Sequence, residues 1–512
     1  MAKHPEPKRP WLPDILVLAA LAAVKLVLHL LTFRNYGYAR DELYYIACGE
    51  HPALGYVDHP PLVPLLSRLV TRTIGASLPA LRILPALAGA GVVFVAGLTA
   101  RELGGKRFAQ VLTALAVIVS NVYLFASGSF TTNAFEQLVW AVALYLLVVI
   151  VKRGTPKHWI WLGLVLGLGL MTKHSVVFLC AAVFGGLALS PKRGLLASRG
   201  PWIAAVIAAL VFLPNVLWEV RNGWPTIEFL RRAEINRMPS VNLGSFLIGQ
   251  ALGLHVLLVP VWVLGLWEAF RGKEARQLSL FGWVYAILFV YFLLSRGKHY
   301  YLVPVYPPLL ALGAVALERF VTRPRLAWVR VAAPAVLVIG GAVTAPLSLP
   351  VLSPEKLIAY ADRIVPAASP APGETKMLPA FQDMFGWEEM VATVAGVYHQ
   401  LPPDVQKSTP ILANNYGQAA AIDFFGAKYG LPKCISSHNN YWYWGPRDYT
   451  GEYVLSVGVR RQALESAFQA VAIADTVVHP YVVWYETNQP IYIWRAMKIP
   501  LSQAWPQMKL YY

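Results

Sequence analysis

The chain has 512 residues, of which 57% are hydrophobic and only 14% are charged. A soluble domain usually has about 25% charged residues, so this composition excludes an ordinary soluble globular protein. The formal net charge is +17, but no basic tract resembles a nucleic-acid patch and membrane proteins collect Lys and Arg in cytoplasmic loops; we therefore expect no nucleic-acid partner.

Long apolar segments dominate the first two thirds of the chain. A membrane-spanning helix needs about 20 mostly apolar residues, and eleven segments approach this length. The first follows a basic start without a small-residue cleavage site, which predicts a retained helix rather than a signal peptide. The predicted spans are 12–33, 81–100, 108–127, 134–151, 159–171, 175–190, 201–218, 246–269, 278–295, 301–317 and 326–345.

The charges between the spans predict their orientation. With a cytoplasmic N-terminus, six cytoplasmic segments hold 19 Lys and Arg residues, whereas three short outer turns hold 3. This contrast agrees with the enrichment of positive charge in cytoplasmic loops. The fifth and sixth spans are short and meet at an outer turn, 171–174, which indicates two helices that stop part-way through the bilayer.

Three predicted outer segments are long: 34–80, 219–245 and everything after 346. The first, here called the first outer loop, contains the apolar pattern of an interfacial helix at 61–74. The last, here called the tail, begins with Pro-rich stretches at 349–350 and 366–372. We predict two domains, a mainly α-helical membrane domain over 1–345 and a small extracytoplasmic α/β domain over 346–512.

Short apolar segments in the tail alternate with helical patterns. Strands are predicted at 409–413, 453–457 and 491–495, and helices at 416–428 and 460–470. The chain has three cysteines, too few for a disulfide framework. Cys48 and Cys434 share the predicted outer side, but a bridge between them is not predicted.

Polar and aromatic residues crowd the start of the first outer loop. Two adjacent carboxylates, Asp41 and Glu42, follow Arg40 directly after a membrane span. Transfer of a sugar to a hydroxyl requires removal of the hydroxyl proton, and a positioned carboxylate performs this step. We therefore predict that Asp41 and Glu42 are catalytic. A solvated Arg–Asp pair at the membrane interface remains the structural alternative.

A phosphate leaving group would need cationic and hydroxyl partners. Candidates lie at two predicted outer turns, and the alternative for the cations at 296–298 is snorkelling at the interface. The predicted donor-phosphate ligands are Lys173, Arg296, Lys298, His299 and Tyr301. The predicted supporting residues of the loops are Arg40, Tyr44, Asp58, His59, Asn133 and Glu136.

Metal binding is not predicted. The histidines are scattered and do not have the spacing of a zinc site. A divalent metal held by carboxylates stays open as an alternative, and no cofactor is expected.

These motifs together resemble the GT-C membrane glycosyltransferases, in particular the protein-O-mannosyltransferase and aminoarabinose-transferase group (glycosyltransferase family 39). The resemblance covers roughly 30–345 and is carried by the Asp-Glu pair and by four further segments. The tail is similar to the extra outer domain of many such proteins at 381–392 and 414–425. The four segments are 55–61 (Gly-Tyr-Val-Asp-His-Pro-Pro), Ser127–Trp140, Gly167–Lys173 and Lys298–Pro307.

The resemblance implies an inverting transfer of a sugar from a polyprenyl phosphate in the outer leaflet. Asp41 matches the family's catalytic acid, and the surroundings of Lys298 and Tyr301 match its donor-phosphate contacts. Many relatives have an aspartate in the 128–136 turn, whereas this chain has Asn133 with Glu136 one turn later. The role of a second acid is therefore open.

The acceptor, whether lipid, protein or glycan, is not identified by the sequence. Two other functions stay open: a lipid or glycolipid flippase, and a receptor or scaffold whose tail binds a partner. The predicted location is a bacterial inner membrane, with the N-terminus cytoplasmic and the tail periplasmic.

Overall fold

The structure is a computed structural model that describes residues 11–235, 242–272, 275–364 and 377–512. Its first part is built from helices. They are α1 Leu12–Leu30, α2 Arg40–Glu50, α3 Leu62–Thr73, α4 Leu78–Glu102, α5 Arg107–Val119, α6 Asn121–Ala126, α7 Thr132–Arg153, α8 Lys157–Leu170, α9 Val176–Leu189, α10 Arg199–Arg221, α11 Pro225–Ile235, α12 Leu243–Leu254, α13 Val259–Arg271, α14 Ala275–Leu294, α15 Tyr306–Val321 and α16 Val329–Thr344.

The described ranges contain seven helices that are long and apolar enough to span a membrane, or eight if one bent pair counts as a span. Three shorter apolar helices, α5, α8 and α9, occupy the other predicted spans. Each of the eleven predicted segments is therefore helical, and the predicted multi-pass helical fold is confirmed. At 1.5 Å per residue, α8 and α9 are each about 21 Å long, shorter than the roughly 30 Å hydrocarbon core of a bilayer.

Two predicted spans are interrupted. The segment 108–127 breaks at Ser120, which has an extended backbone (ψ 124°) between α5 and α6. The segment 246–269 bends by 97° at His255, whose φ of 145° lies outside the helical region. The His255 ring accepts the Leu257 N–H, and Pro260 occupies the first turn of α13, where a missing N–H costs nothing.

The tail contains a five-stranded sheet surrounded by short helices. Its strand order is β2-β1-β3-β5-β4, in which β1 is parallel to β2 and β3 while β5 is antiparallel to β3 and β4. The elements are α17 Pro354–Ile364, α18 Pro379–Gln382, α19 Trp387–His399, α20 Pro403–Ser408, β1 Ile411–Ala413, α21 Tyr416–Phe425, β2 Ile435–Ser436, α22 Asn440–Trp444, β3 Tyr453–Val457, α23 Arg461–Leu464, β4 Phe468–Val477, β5 Gln489–Met497 and α24 Leu501–Ala504.

The tail has the predicted α/β character, and the three predicted strands are present. The predicted helix at 460–470 is present as α23 and a 3-10 turn over Glu465–Ala467, but it is wrong from Phe468 onward, where the chain pairs with β5 at the edge of the sheet. The predicted linker at 366–372 lies outside the described residues.

The tail shares a buried core with the first outer loop. Leu43 and Tyr44 of α2 pack in one apolar cluster with Val391, Ile411 and Ala419 of the tail. All three cysteines are free, including the two that line this cluster. The tail therefore covers α2, the helix that begins at the predicted catalytic residues.

Candidate active site

The N-terminus of α2 is capped by an acidic side chain from its own first turn. Ala39 is extended, and the Glu42 carboxylate, three residues later, accepts the Ala39 N–H at 2.9 Å. Two acidic side chains in the first turn also interact favourably with the helix dipole. The sequence Arg40-Asp41-Glu42 thus forms a helix N-terminus between the membrane domain and the tail.

Glu42 is completely buried and fully engaged. Arg82 of α4 binds it in a two-point ion pair, with Nε and Nη2 at 2.9 and 2.8 Å from the two carboxylate oxygens. The Phe130 N–H donates to Glu42 Oε1 at 2.9 Å. Arg82 also donates to the carbonyl groups of Phe33, Asn35 and Gly37. Glu42 therefore anchors the loop to α4 in this structure, and its predicted catalytic role stays a prediction.

Asp41 has a different environment. It is partly exposed, and within the described ranges its one hydrogen bond comes from the Tyr416 hydroxyl of the tail, at 3.1 Å from Oδ1. Burial raises the pKa of Asp41, while the Arg40 guanidinium and the Tyr416 hydroxyl lower it. A carboxylate of raised pKa that is not fully bonded is suited to take a proton.

Asp58 and His59 lie within electrostatic range of the Asp41 carboxylate. Asp58 accepts hydrogen bonds from the Tyr44 hydroxyl at 3.1 Å and from Asn439 Nδ2 at 3.2 Å, and the His59 ring is 3.7 Å away. Asn440 donates to Asp58 at 3.3 Å. Three of the predicted supporting residues, Tyr44, Asp58 and His59, therefore form one polar cluster with the tail.

A second cluster joins residues of three other segments. Lys173, in the turn between α8 and α9, donates to Asn133 Oδ1 at 2.6 Å and to Glu136 Oε2 at 2.7 Å. Its ammonium group also lies 5.5 Å from the centre of the Tyr301 ring, and Ser175 donates to Glu136. Four predicted residues thus meet, although the Lys173 charge is balanced by Glu136 in this structure.

The remaining predicted phosphate ligands lie at the turn before α15. Arg296 and Lys298 are exposed, with the Lys298 ammonium 5.8 Å from the Tyr300 ring centre. His299 packs closely against Gly249 of α12. Tyr300 lies within electrostatic range of both Asp41 and Glu136, so this turn lies near both clusters.

Arg40 fastens the tail to the first outer loop. Its Nη2 lies 3.0 Å from both Asp383 Oδ1 and Glu486 Oε1, and its backbone N–H donates to Asp383 Oδ2 at 3.2 Å. The guanidinium also lies 5.0 Å from the centre of the Tyr485 ring. Burial raises the pKa of Asp383 to about 7, despite the opposing effect of Arg40.

Several of these residues were not predicted from the sequence. Arg82 could have been recognised from the sequence, because burying an arginine inside an apolar span is costly unless it is paired. Asp383 and Tyr416 lie in the two tail segments that resemble the family's outer domain, but neither residue was singled out, and Glu486 and Asn439 had no signal. Nothing in the local pattern of the tail indicates that these four residues meet the first outer loop. In the part of the chain that the structure describes, no three His, Cys, Asp or Glu side chains lie together as metal ligands.

The fold and the site together define a multi-pass membrane protein with a polar, acidic centre between a helical membrane domain and a small α/β tail. Residues 58–218 match the family model described as dolichyl-phosphate-mannose-protein mannosyltransferase. Over 243 residues, the chain is 27% identical to the lipid A galacturonosyltransferase RgtD of Rhizobium johnstonii, which covers 46% of this chain and 50% of RgtD. The chain thus aligns with about half the length of this curated relative.

Two solved structures share the fold over almost the whole chain. ArnT from Cupriavidus metallidurans bound to undecaprenyl phosphate has a TM-score of 0.63 at 16% identity, covering 94% of this chain and 98% of ArnT. The apo state of the same protein has a TM-score of 0.60 at 17% identity, covering 94% and 97%. The predicted resemblance to the GT-C membrane glycosyltransferases of family 39 is therefore confirmed.

Proposed function

We propose that this protein transfers a sugar from a polyprenyl phosphate to an acceptor hydroxyl at the outer face of a bacterial inner membrane, with Asp41 as the general base. The observation that carries the proposal is the contrast within the Asp-Glu pair. Glu42 is buried and fully bonded, whereas Asp41 is partly exposed and keeps carboxylate lone pairs for a substrate.

The proposed reaction is an inverting displacement. The acceptor oxygen attacks the anomeric carbon, its proton passes to the Asp41 carboxylate, and the bond to the phosphate oxygen breaks. Lys173, Tyr301 and the exposed cations Arg296 and Lys298 would hold the negative charge of the departing phosphate. For Lys173 this requires the phosphate to compete with Glu136 for the ammonium group.

The similar proteins indicate which donor and acceptor substrates to test first. RgtD is a lipid A galacturonosyltransferase, and ArnT was solved with undecaprenyl phosphate. Undecaprenyl-phosphate-linked galacturonic acid and lipid A are therefore the first donor and acceptor, and the same lipid carrying mannose or aminoarabinose supplies the further arms. A nucleotide-linked sugar is the negative control for the donor class.

Membrane vesicles that contain the chain should form a glycosylated acceptor, detected by mass spectrometry, with at least one of the lipid-linked donors. Asp41→Asn should lower the rate by about 10²–10⁴ while the protein remains folded in the membrane. Parental turnover by Asp41→Asn would contradict the assignment of the base. A complete absence of covalent product with all lipid-linked donors would contradict the enzyme itself.

One structural observation favours the flippase alternative. Lys25 and His29 of α1 are buried, and among the described residues the Lys25 ammonium and both His29 ring nitrogens have no hydrogen-bond partner. Ionisable groups inside a span are common along transport paths. Lys25→Met should stop movement of a labelled lipid across vesicles if the protein is a flippase, and should leave sugar transfer intact if it is a transferase.

A further inference from the structure

We infer that Tyr416 of the tail is a positioning residue for Asp41, so that the tail completes the catalytic centre of the membrane domain. This inference rests on the proposed role of Asp41 as the base. Tyr416 and Asp41 are 375 residues apart in the sequence, yet the Tyr416 hydroxyl donates to Asp41 Oδ1 at 3.1 Å.

The Tyr416 ring is packed against the first outer loop. Its centre lies 4.4 Å from that of the Tyr44 ring, at an interplanar angle of 33°. The guanidinium of Arg40, the residue before Asp41, lies 5.9 Å from the Tyr416 ring centre. The hydroxyl is therefore held in place by the residues that flank Asp41.

The backbone of Tyr416 is fixed from the tail side. Asn415 caps α21, accepting the N–H groups of Gly417 and Gln418 at 2.9 and 3.0 Å, and donates from Nδ2 to Glu486 at 2.9 Å. The Tyr416 N–H donates to His438 Nδ1 at 3.2 Å. These bonds tie the start of α21 to the rest of the tail, so the position of the Tyr416 hydroxyl relative to Asp41 depends on how the tail docks.

In this arrangement the two carboxylate oxygens of Asp41 have different functions. Oδ1 is oriented by Tyr416, and Oδ2 is left to accept the proton of an acceptor hydroxyl. A hydroxyl that donates to the ionised carboxylate favours the form that acts as a base, and it counteracts the effect of burial. The charged or titratable groups around Asp41 are Arg40, Tyr45, Asp58, His59, Tyr300, Asp383 and Tyr416.

The test is the pH dependence of the full-length protein carrying Tyr416→Phe. Loss of the hydroxyl raises the pKa of Asp41, so the acidic limb of kcat/KM for undecaprenyl-phosphate galacturonic acid and lipid A should move to higher pH by roughly one unit. Tyr398→Phe is the matched control, because the Tyr398 hydroxyl donates to the Gln406 carbonyl inside the tail at 2.6 Å. It should leave the limb in place.

A second readout does not depend on turnover. A water-soluble carbodiimide modifies protonated carboxyl groups, so the pH midpoint of Asp41 modification, followed by peptide mass spectrometry, reports its protonation. Tyr416→Phe should raise this midpoint by roughly one unit. The result separates the two proposals, because a shifted midpoint with parental transfer by Asp41→Asn would retain the Tyr416 contact and reject Asp41 as the base.

An isosteric variant guards against a folding defect in Tyr416→Phe. Incorporation of 3-fluorotyrosine at position 416 gives a more acidic hydroxyl that donates more strongly, so it should lower the midpoint of Asp41 modification. A midpoint that coincides with that of the parent in both substituted proteins would overturn the inference. So would equal shifts in Tyr416→Phe and Tyr398→Phe, which would indicate a general effect on the tail.

Discussion

Asp41 and Glu42 are adjacent in the sequence, but their carboxylates have opposite environments on the two sides of α2. On the side facing α4, Glu42 receives hydrogen bonds from Arg82 and from the backbone of Ala39 and Phe130. On the side facing the tail, Asp41 receives one hydrogen bond among the described residues. A saturated, buried acid stabilises a fold, whereas a partly exposed acid with unused lone pairs is available for chemistry.

The largest expected effect comes from breaking the saturated side. Glu42→Gln removes the negative partner of Arg82, whose side chain is only 1% exposed. An unpaired buried charge costs about 3–5 kcal/mol, so the folded protein should be lost or its thermal midpoint should fall strongly in fluorescence-detected size-exclusion chromatography.

Asp41→Asn is the matched control for this change, because it neutralises the neighbouring carboxylate without leaving a buried cation. Its thermal midpoint should stay close to that of the parent protein. Equal loss of folded protein in the two variants would show that the two sides of α2 do not differ in the way proposed.

The next largest effect is expected at Gly37, where the first outer loop contacts the tail. A Cβ atom at Gly37 would overlap the Met384 carbonyl oxygen of the tail, and the Gly37 carbonyl itself accepts from Arg82. Gly37→Ala should therefore push the tail away from the loop, at a cost of about 1–3 kcal/mol. Cross-linking between the tail and the loop should decrease, together with the thermal midpoint.

Gly396→Ala supplies the control for the glycine substitution. Gly396 lies inside α19, and a Cβ there would meet no atom within 4 Å. Alanine is the better helix former by about 1 kcal/mol, so this variant should be neutral or slightly stabilising. An unchanged cross-linking yield in Gly37→Ala would mean that the tail does not dock through this contact.

The sequence predicted the parts of the fold that depend on local information. About 20 apolar residues are a sufficient signal for a span, and all eleven predicted segments are helical. The bend at His255 was not predictable by this means, because a hydropathy window averages over a change confined to one residue's backbone. Strand β4 was missed for a different reason: its conformation depends on pairing with β5.

The candidate site likewise has features that could be predicted from the sequence and features that could not. Asp41 and Glu42 were recognisable because carboxylates beside a membrane span need a partner or a function. Their different environments were not, since these depend on Arg82 and Tyr416, which lie 40 and 375 residues from their partners. A tyrosine has no unusual energetic cost in an α/β domain, so the sequence around Tyr416 does not indicate a contact with a residue far away in the chain.

The second cluster extends the comparison to a third acid. Glu136 balances the Lys173 charge, so the two residues should affect phosphate binding in opposite directions. Lys173→Gln should weaken binding of undecaprenyl phosphate by about tenfold, equivalent to roughly 1.4 kcal/mol. Glu136→Gln frees the ammonium group and should strengthen it. Binding measured by scintillation proximity, with undecaprenol as the uncharged control, checks both signs.

Weaker binding in both variants would contradict this interpretation. It would indicate that the Lys173–Glu136 pair holds the turn between α8 and α9 in shape, and that the phosphate binds elsewhere. In that case the exposed Arg296 and Lys298 would be the remaining cations of the predicted set.

The smallest expected effect tests how the tail is held near Asp41. Burial raises the pKa of Asp383 to about 7, so between its ordinary pKa and this value the native protein retains a proton that the unfolded chain has released. The contribution of Asp383 to stability is therefore greatest at low pH and is lost as the pH rises through about 7.

Asp383→Asn removes this titration. The thermal midpoint of the parent protein relative to the variant should fall by roughly 1–2 °C between about pH 5 and pH 8. The exposed Asp404, changed to Asn, is the control and should give a constant difference over the same range. A difference between parent and Asp383→Asn that grows with pH would mean that Asp383 is held ionised by Arg40, and that the tail docks through a fully charged pair.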